Sequence, residues 1–223
     1  MCKGRYFITI KRVVHKLGFV IFVVMALALQ HSDHIECGTD EAGRGCLAGP
    51  VTAAAVILPP DFSHPQLNDS KKLSHKQRQL LEVEIKEKAL AYGIAHVSPD
   101  RIDSINILNA SIEAMHKAIE MMTVKPAFIL VDGNRFKPYQ NIPHECMIKG
   151  DARFLNIAAA SVLAKTARDY YMETLHQEHP QYGWDTNKGY PTVKHRDAIQ
   201  QYGATPWHRK SFALLPRQIE IAF

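Results

Sequence analysis

The sequence predicts an α/β domain with a mixed sheet, and three observations lead to this fold class. Two apolar segments, residues 35–40 and 51–58, flank a tight glycine-rich turn, which indicates a hairpin-like pair of strands. Further strand patterns then alternate with helical patterns, as they do where helices connect the strands of a sheet. The 223 residues suffice for one domain, and a hydrophobic content of 46% is typical of a folded chain.

The individual elements follow from local patterns. Short apolar or alternating runs predict strands over 35–40, 51–58, 92–97, 127–132 and 144–149. Capping residues place several helix ends, with Ser74 and Thr192 as N-caps and Gly203 as a stop signal. The predicted helices cover 74–88, a region that opens at 99 and holds a second helix over 109–122, an alanine-rich stretch over 153–179, and 192–201.

The net charge of +5 does not by itself indicate a nucleic-acid partner. Residues 1–24 carry five basic residues and no acid, so the remaining chain has 22 basic and 22 acidic residues. A basic stripe lies near the C-terminus, and charge alone favours a solvated face over a phosphate-binding one. Its members are Lys188, Lys194, Arg196, Arg209, Lys210 and Arg217.

The cysteines and histidines give no metal pattern. The four cysteines form no C-x-x-C pair and no zinc-type cluster with histidine, which favours free thiols in a reducing compartment. The twelve histidines include pairs such as His31/His34 and His176/His179, and we interpret them as surface or capping residues.

The stretch "TDEAGRGCLAG", residues 39–49, contains G-x-G-x-x-A, a form of the dinucleotide-binding fingerprint. That fingerprint requires a helix directly after the glycines, because the helix N-terminus binds the pyrophosphate. Here Pro50 and the β-branched run "VTAAAV" follow, which predict a strand. A P-loop is also excluded, since no Gly-Lys-Ser/Thr follows the turn. The stretch is therefore not a dinucleotide site.

Four acids instead stand where predicted elements begin or end. Asp40 and Glu41 close the first strand, Asp132 closes the strand over 127–132, and Asp151 precedes the long helix. Grouped carboxylates raise one another's pKa unless a cation neutralises them, and oxygen ligands suit Mg²⁺ or Mn²⁺. Two such ions can activate a water and stabilise the leaving oxygen in phosphodiester cleavage. Each acid taken alone fits a cap or turn equally well, and spacing does not prove convergence.

The sequence resembles the bacterial ribonuclease HII family through six motifs in order. They are "DEAGRGCLAGPV", "DSKKL", "VDGN", "KGD", "IAAASVLAKTARD" and "NKGYPTVKHRDAI", and the resemblance spans residues 34–215. It implies the ribonuclease H fold, cleavage of the RNA strand of RNA–DNA hybrids, and nicking of DNA on the 5′ side of an embedded ribonucleotide. The implied products carry a 3′-hydroxyl and a 5′-phosphate. The related ribonuclease HIII branch carries a large N-terminal domain, for which this chain has no room.

The resemblance also implies roles for individual residues. The four acids would bind two Mn²⁺ or Mg²⁺ ions, and the turn Gly43-Arg44-Gly45 would recognise the ribonucleotide. Tyr190 would stack beside the sugar at the RNA–DNA junction. Asp169 would be a supporting partner of Lys165 or of a nearby arginine. The implied phosphate contacts are Lys71, Lys72, Ser161 and Lys165.

The first 24 residues depart from the family pattern. The apolar run over 17–29 is shorter than the roughly 20 residues of a membrane-spanning helix. It matches a signal-peptide core followed by an A-x-A site, or a membrane tether, or an extension upstream of a true start at Met25. We favour the start at Met25, because a protein that acts on DNA is expected in the cytoplasm. The expected organisation is an extension over 1–33, a catalytic domain with a small helical C-terminal part over 34–215, and a tail over 216–223.

Two further features concern partners. "TPWHRKSF", residues 205–212, mixes aromatic and basic groups, which fits either backbone tracking along nucleic acid or a core role for Trp207. The tail "QIEIAF" resembles the short peptide by which bacterial replication proteins dock on the sliding clamp, with Gln218, Ile221 and Phe223 as anchors. A frayed tail or a last strand is the alternative. We expect a monomer whose substrates are RNA–DNA hybrids and DNA duplexes that contain ribonucleotides. A hybrid-binding protein without activity and a membrane-tethered nuclease are the alternatives.

Overall fold

The computed structural model describes residues 27–67 and 73–215. The predictions for the N-terminal extension before residue 27, for Lys71 and Lys72, and for the clamp-binding anchors Gln218, Ile221 and Phe223 lie outside the described residues.

The end of the predicted extension contacts the fold. The backbone N–H of Ala28 donates to the carbonyl of Arg153 (2.9 Å), and the N–H of Leu155 donates to the carbonyl of Ala28 (2.8 Å). Leu27 and Leu29 pack against a buried cluster of the domain. Residues 27–29 therefore lie against the beginning of the long helix.

A five-stranded mixed sheet forms the centre of the domain, as predicted. Its spatial order is β3-β2-β1-β4-β5. β1 pairs antiparallel with β2, and β2 pairs antiparallel with β3, whereas β1–β4 and β4–β5 are parallel. The strands are β1 (Glu36–Ala42), β2 (Val51–Ile57), β3 (Ala91–Val97), β4 (Phe128–Asp132) and β5 (His144–Met147).

Five helices complete the described fold: α1 (His75–Lys88), α2 (Pro99–Glu120), α3 (Leu155–Glu178), α4 (Trp184–Asn187) and α5 (Val193–Tyr202). Ser74 caps α1 through a capping box with Gln77, and Thr192 caps α5, as the sequence predicts. The predicted second helix at 109 is the latter part of α2, which kinks at Asn106 (φ 65°). The side chain of Asn106 accepts a hydrogen bond from the N–H of Asn109 (3.1 Å), so it caps the second segment.

The helices cover both faces of the sheet. α2 packs on one face around Ile102 and Met115, and α1 and α3 pack on the other around Ile85 and Leu163. α3 crosses β1 at Gly38, where a Cβ atom would lie 2.3 Å from the backbone nitrogen of Ile157. Only glycine permits so close a crossing. The alanines of α3 serve the same close packing.

A smaller apolar cluster joins the C-terminal helices to α3. Trp184 and Met172 are fully buried there, with Tyr182 and Ile199 packed beside them. This cluster is the expected small helical C-terminal part. Within residues 27–67 and 73–215, no helix combines the length and the apolar character needed to cross a membrane.

Candidate active site

Two of the predicted acids meet because β1 and β4 are parallel neighbours. Thr39 lies opposite Val131 in their register, so Asp40 and Asp132 follow at the adjacent ends of the two strands. Gly38 and Leu130, two residues earlier, both face α3. Since side chains alternate along a strand, Asp40 and Asp132 face α3 as well. Asp40 is buried and Asp132 is half-buried.

A backbone contact links Asp132 to the segment that carries Asp151. The N–H of Gly150 donates to Oδ1 of Asp132 over 2.7 Å. Residues 150–152 form a single 3-10 turn that begins after Lys149, whose φ is 56°. This turn replaces the first residues of the predicted helix, which begins at 155 instead of 153. Asp151 is the next residue and is buried, so its backbone lies close to Asp132 in the fold.

The carboxylates oppose one another electrostatically. Burial raises the pKa of Asp40 well above its usual value, and the charges of Glu41 and Asp132 raise it further. Hydrogen bonds from Ser161 on α3 and from the N–H of Glu41 (2.7 Å to Oδ1) partly offset this rise. Burial also raises the pKa of Glu41, opposed by the guanidinium of Arg44 at 3.1 Å. A bound cation would relieve the repulsion that remains.

The donor set fits a hard divalent cation in its chemistry. All four predicted ligands are carboxylates, the ligand type that Mg²⁺ and Mn²⁺ prefer, and three of them repel each other in the absence of an ion. Among the described residues, however, no three His, Cys, Asp or Glu side chains already converge in a geometry that would hold a metal. The strand ends bring the acids to one edge without preassembling a closed metal cage.

The glycine turn follows directly after the acids, and its two glycines differ. At Gly43 (φ 91°) a Cβ atom would lie 1.9 Å from Nε of Arg168. At Gly45 no atom of the described residues lies within 4 Å of such a Cβ. The family resemblance implies a recognition role for the whole turn. Gly43 is required by the arginine packed against it, and only Gly45 faces open space.

A buried arginine fixes the turn from the opposite side. Arg209 donates from Nη2 to the carbonyl of Gly43 (2.7 Å) and from Nη1 to that of Arg44 (2.9 Å). Its Nε donates to the carbonyl of Gly49 (3.1 Å). The carbonyls of the turn therefore point into the protein. The side chain of Arg44 is half exposed and pairs with Glu41.

Two of the three predicted α3 residues, Lys165 and Asp169, line one cavity of about 450 Å³ together with Tyr190. The amine of Lys165 pairs with Asp169 (2.5 Å) and lies 5.9 Å from the centre of the Tyr190 ring. Asp169 is buried and also contacts Arg78 at 3.5 Å. Tyr190 is 42% exposed, so its ring is available at the cavity mouth. Lys165, Asp169 and Tyr190 are thus brought together. Ser161 lies one turn before Lys165 in α3, where it bonds to Asp40 instead.

Two predictions about charged and polar residues are wrong. The basic stripe is not one surface, because Arg209 is fully buried, Lys188 pairs with Glu173 (2.6 Å) and Arg196 donates to the carbonyls of Ala213 and Leu214. Arg217 lies outside the described residues.

The histidines are not all surface or capping residues. His195 and His208 are buried. A neutral imidazole has one donor and one acceptor nitrogen, and neighbouring groups hydrogen-bond to the rings in those roles. Trp207 is partly buried against the C-terminal cluster, the core alternative of the two that we considered.

Sequence reasoning missed Arg168, although a signal for it exists. Ala164, Arg168, Met172 and Leu175 follow helical spacing, and the three apolar members are buried. An arginine inside a buried helical stripe requires polar partners, and a search for such partners would have singled it out.

The comparisons with known proteins agree with this fold. A family model described as ribonuclease HII matches residues 37–215. A ribonuclease HII of Christiangramia forsetii is 62% identical over 186 residues, which cover 83% of this chain and 94% of the relative.

Two solved structures are similar in fold. The ribonuclease HII of Archaeoglobus fulgidus, solved in complex with PCNA, has a TM-score of 0.68 and 24% identity, with 84% of this chain and 98% of that chain covered. Bst-RNase HIII in complex with Mn²⁺ has a TM-score of 0.62 and 16% identity, with 80% and 67% covered. These likenesses confirm the expected ribonuclease H-like fold. The chain belongs to the ribonuclease HII family, and it is a nuclease.

Proposed function

We propose that this nuclease hydrolyses the RNA strand of RNA–DNA hybrids and nicks DNA on the 5′ side of embedded ribonucleotides. The products carry a 3′-hydroxyl and a 5′-phosphate. The observation that carries the proposal is the placement of Asp40 and Asp132 at adjacent ends of β1 and β4, with the turn over 43–45 directly after Asp40 and Glu41. The residues proposed for cleavage and those proposed for sugar recognition are then close neighbours in the sequence.

Asp40, Glu41, Asp132 and Asp151 would hold two divalent ions, Mn²⁺ or Mg²⁺. Such ions supply activation of water and stabilisation of the leaving oxygen when they are bound. The Mn²⁺ complex of the similar Bst-RNase HIII supports this choice of metal. The protein's own contribution is orientation, since Ser161 holds Asp40 and the N–H of Gly150 holds Asp132.

Recognition of the ribonucleotide would fall to the exposed side of the turn and to Tyr190. A 2′-hydroxyl is the group that distinguishes RNA from DNA at a given site. Gly45 lets the backbone approach that hydroxyl, because no described atom occupies the space above it. Tyr190 presents a half-exposed ring for packing against the sugar at the junction.

The phosphate backbone of the nucleic acid would be bound by positively charged side chains. Lys165 lines the cavity, and its pairing with Asp169 and its approach to Tyr190 fix the amine at the cavity wall. Phosphate contacts by Lys71, Lys72 and Ser161 complete the proposal, on the strength of the family resemblance. Side chains that neutralise phosphates release counterions, so the affinity for nucleic acid is expected to fall as the salt concentration rises.

One assay tests the proposed function. Three end-labelled duplexes of the same sequence are incubated with the protein: all DNA, DNA with one ribonucleotide, and a uniform RNA–DNA hybrid. Each is tested with EDTA, with Mg²⁺ and with Mn²⁺. We expect no cleavage of the all-DNA duplex, a single nick 5′ of the ribonucleotide, multiple cuts in the hybrid, and no product in EDTA. Cleavage of the all-DNA duplex, or product formation in EDTA, would refute the proposal.

The C-terminal tail is proposed to dock on the sliding clamp through Gln218, Ile221 and Phe223. The complex of the A. fulgidus relative with PCNA supports a clamp as partner. A peptide of residues 214–223 is expected to bind a bacterial clamp at high micromolar concentration, and absence of binding would rule this docking out. The protein is proposed to act as a monomer in the cytoplasm.

A further inference from the structure

The loop over residues 188–190 is held from beneath by three different elements. Its three successive carbonyls each accept a hydrogen bond. The first accepts from Nη1 of Arg168 (2.8 Å) and the second from the N–H of Leu47 (2.8 Å). The third accepts from Nδ1 of His195 (2.9 Å) and also from the N–H of Thr192 (2.8 Å). A Cβ atom at Gly189 would also lie 2.5 Å from the carbonyl oxygen of Ala48. The backbone that carries Tyr190 is therefore fixed at three consecutive points.

Arg168 connects this loop to the glycine turn. Its Nε donates to the carbonyl of Pro50 (3.0 Å) and its Nη2 to that of Ala48 (3.1 Å), while Nη1 binds the carbonyl of Lys188. The side chain is fully buried. A planar guanidinium can serve three carbonyls in fixed directions, and a lysine amine cannot reproduce that fork.

His195 is held in one tautomer by its neighbours. The carbonyl of Tyr190 can only accept, so Nδ1 of His195 carries the proton and Nε2 is an acceptor. Nε2 accepts from the indole N–H of Trp184 (3.0 Å) and lies 3.3 Å from Nε2 of His208. His208 itself accepts at Nδ1 from the N–H of Thr205 (2.9 Å), which leaves its own Nε2 proton to face His195.

We propose that Arg168 and His195 are positioning residues that hold Tyr190 in register with the turn over 43–45. Through Tyr190 they set the preference for a single embedded ribonucleotide over a uniform hybrid. The inference rests on the proposed function. A lone ribonucleotide offers one 2′-hydroxyl, so it must meet both recognition elements at once. A hybrid offers a hydroxyl at every position and tolerates a displaced tyrosine. Displacements of about 1 Å suffice to lower rates up to about 100-fold.

Two substitutions at His195 separate positioning from stability. Asparagine places an amide nitrogen near the position of Nδ1, so His195→Asn retains a donor for the carbonyl of Tyr190. Glutamine places its amide near the position of Nε2, so His195→Gln loses that donor but retains a polar group toward Trp184. Both remove the ring and its packing. The measurement is kcat/KM on the single-ribonucleotide duplex divided by kcat/KM on the uniform hybrid, together with Tm.

We expect His195→Gln to lower this ratio about tenfold or more, and His195→Asn to keep it within about threefold of the wild-type ratio. Equal ratios in the two variants would overturn the role of His195, whatever their Tm values. If His195→Gln fails to fold, the Asn variant still decides, because a collapsed ratio in a folded His195→Asn protein would also contradict the proposal.

Arg168→Lys supplies the second test, with Thr166→Ala as its matched control. Thr166 is buried on the same helix, and its hydroxyl donates to the carbonyl of Val162, within α3. We expect Arg168→Lys to lower the ratio and Thr166→Ala to lower Tm alone. A lowered ratio in both variants would assign the effect to stability. Absence of cleavage by the wild-type protein would refute the proposed function instead, so the two failures are distinguishable.

Discussion

The guanidinium of Arg168 occupies the space that a side chain at Gly43 would need. A Cβ atom at Gly43 would lie 1.9 Å from Nε of Arg168, and the φ of 91° disfavours any L-residue there. Gly45 has neither constraint. No described atom lies within 4 Å of a Cβ atom built there, and the φ of Gly45 is outside the left-handed region. Of the two glycines in this turn, Gly43 is therefore required by internal packing, whereas Gly45 faces open space.

Substitution by alanine is expected to separate these roles. Gly45→Ala should leave Tm within a few degrees of the wild-type value and slow cleavage at a single ribonucleotide, because the added methyl group would face the proposed ligand. Gly43→Ala should destabilise the fold by at least about 1–2 kcal/mol, the cost of the left-handed conformation alone. Thermal denaturation and single-turnover cleavage measure the two effects. Wild-type nicking by Gly45→Ala would show that the open side of the turn does not meet the substrate.

Tyr190→Ala is expected to reduce cleavage at a single ribonucleotide by about 10- to 100-fold, the effect of losing roughly 1–3 kcal/mol of stacking. The ring is 42% exposed, so Tm should change little. Tyr202→Ala is the matched control, because Tyr202 is also exposed and belongs to the neighbouring α5. Steady-state kinetics on the single-ribonucleotide duplex provides the comparison. Equal loss of activity in both variants would argue against a substrate contact by Tyr190.

The elements of the sheet and the positions of the acids were predictable because both depend on local sequence. Apolar runs closed by glycine or proline define the strands. Asp132 ends β4 as predicted, whereas β1 continues two residues past Asp40, to Ala42. The predicted helix at 109 appears as the second half of a kinked α2, since Asn106 both breaks and caps the helix. The short α4 gave no pattern, because four residues are too few for a helical period.

The partners of the buried arginines at the site were not predictable from local sequence. Arg168 and Arg209 bind carbonyls of residues 43–50, which are distant in the chain, and no local pattern identifies those carbonyls. The same limit explains the error over the basic stripe. A count of charges along the chain cannot distinguish an exposed arginine from a buried one whose partners are backbone carbonyls.

The buried histidines predict a dependence of stability on pH. Burial lowers the pKa of His208 to about 4, with a further contribution from His195. The folded state thus disfavours the proton that the unfolded chain binds below about pH 6.5. The contribution of His208 to stability is therefore full above that pH and falls as the pH drops toward 4. For His208 alone, the loss by pH 5 is about 2 kcal/mol.

Urea denaturation at pH 7.5 and pH 5 measures this loss. His208→Asn cannot titrate, and its side-chain oxygen can still accept from the N–H of Thr205, so the difference between the two pH values should shrink. His34→Asn is the control, since His34 is exposed. An unchanged difference in His208→Asn would contradict the assignment of a neutral, buried imidazole.

The acids predict that the metal-free protein is strained by its own charges. The pKa of Asp40 is raised by burial and by Glu41 and Asp132, so the folded state binds the proton more tightly than the unfolded chain. Stability of the metal-free protein therefore falls as the pH rises above the ordinary carboxyl range. Asp40→Asn should have a higher Tm than the wild-type protein in EDTA at neutral pH. Saturating Mg²⁺ should stabilise the wild-type protein more than the variant, and the same gain in both would contradict Asp40 as a ligand.

The proposed function depends on the carboxylates at the ends of β1 and β4, which would hold the ions required for cleavage. Asp132→Asn preserves size and can still accept from the N–H of Gly150, but it removes the charge. The decisive measurement is single-turnover cleavage of the single-ribonucleotide duplex in Mg²⁺, paired with the Kd for the same duplex in Ca²⁺. We expect cleavage to fall by about 1,000-fold or more, equivalent to about 4 kcal/mol of lost transition-state stabilisation, with the Kd nearly unchanged. Wild-type cleavage by Asp132→Asn would contradict the account.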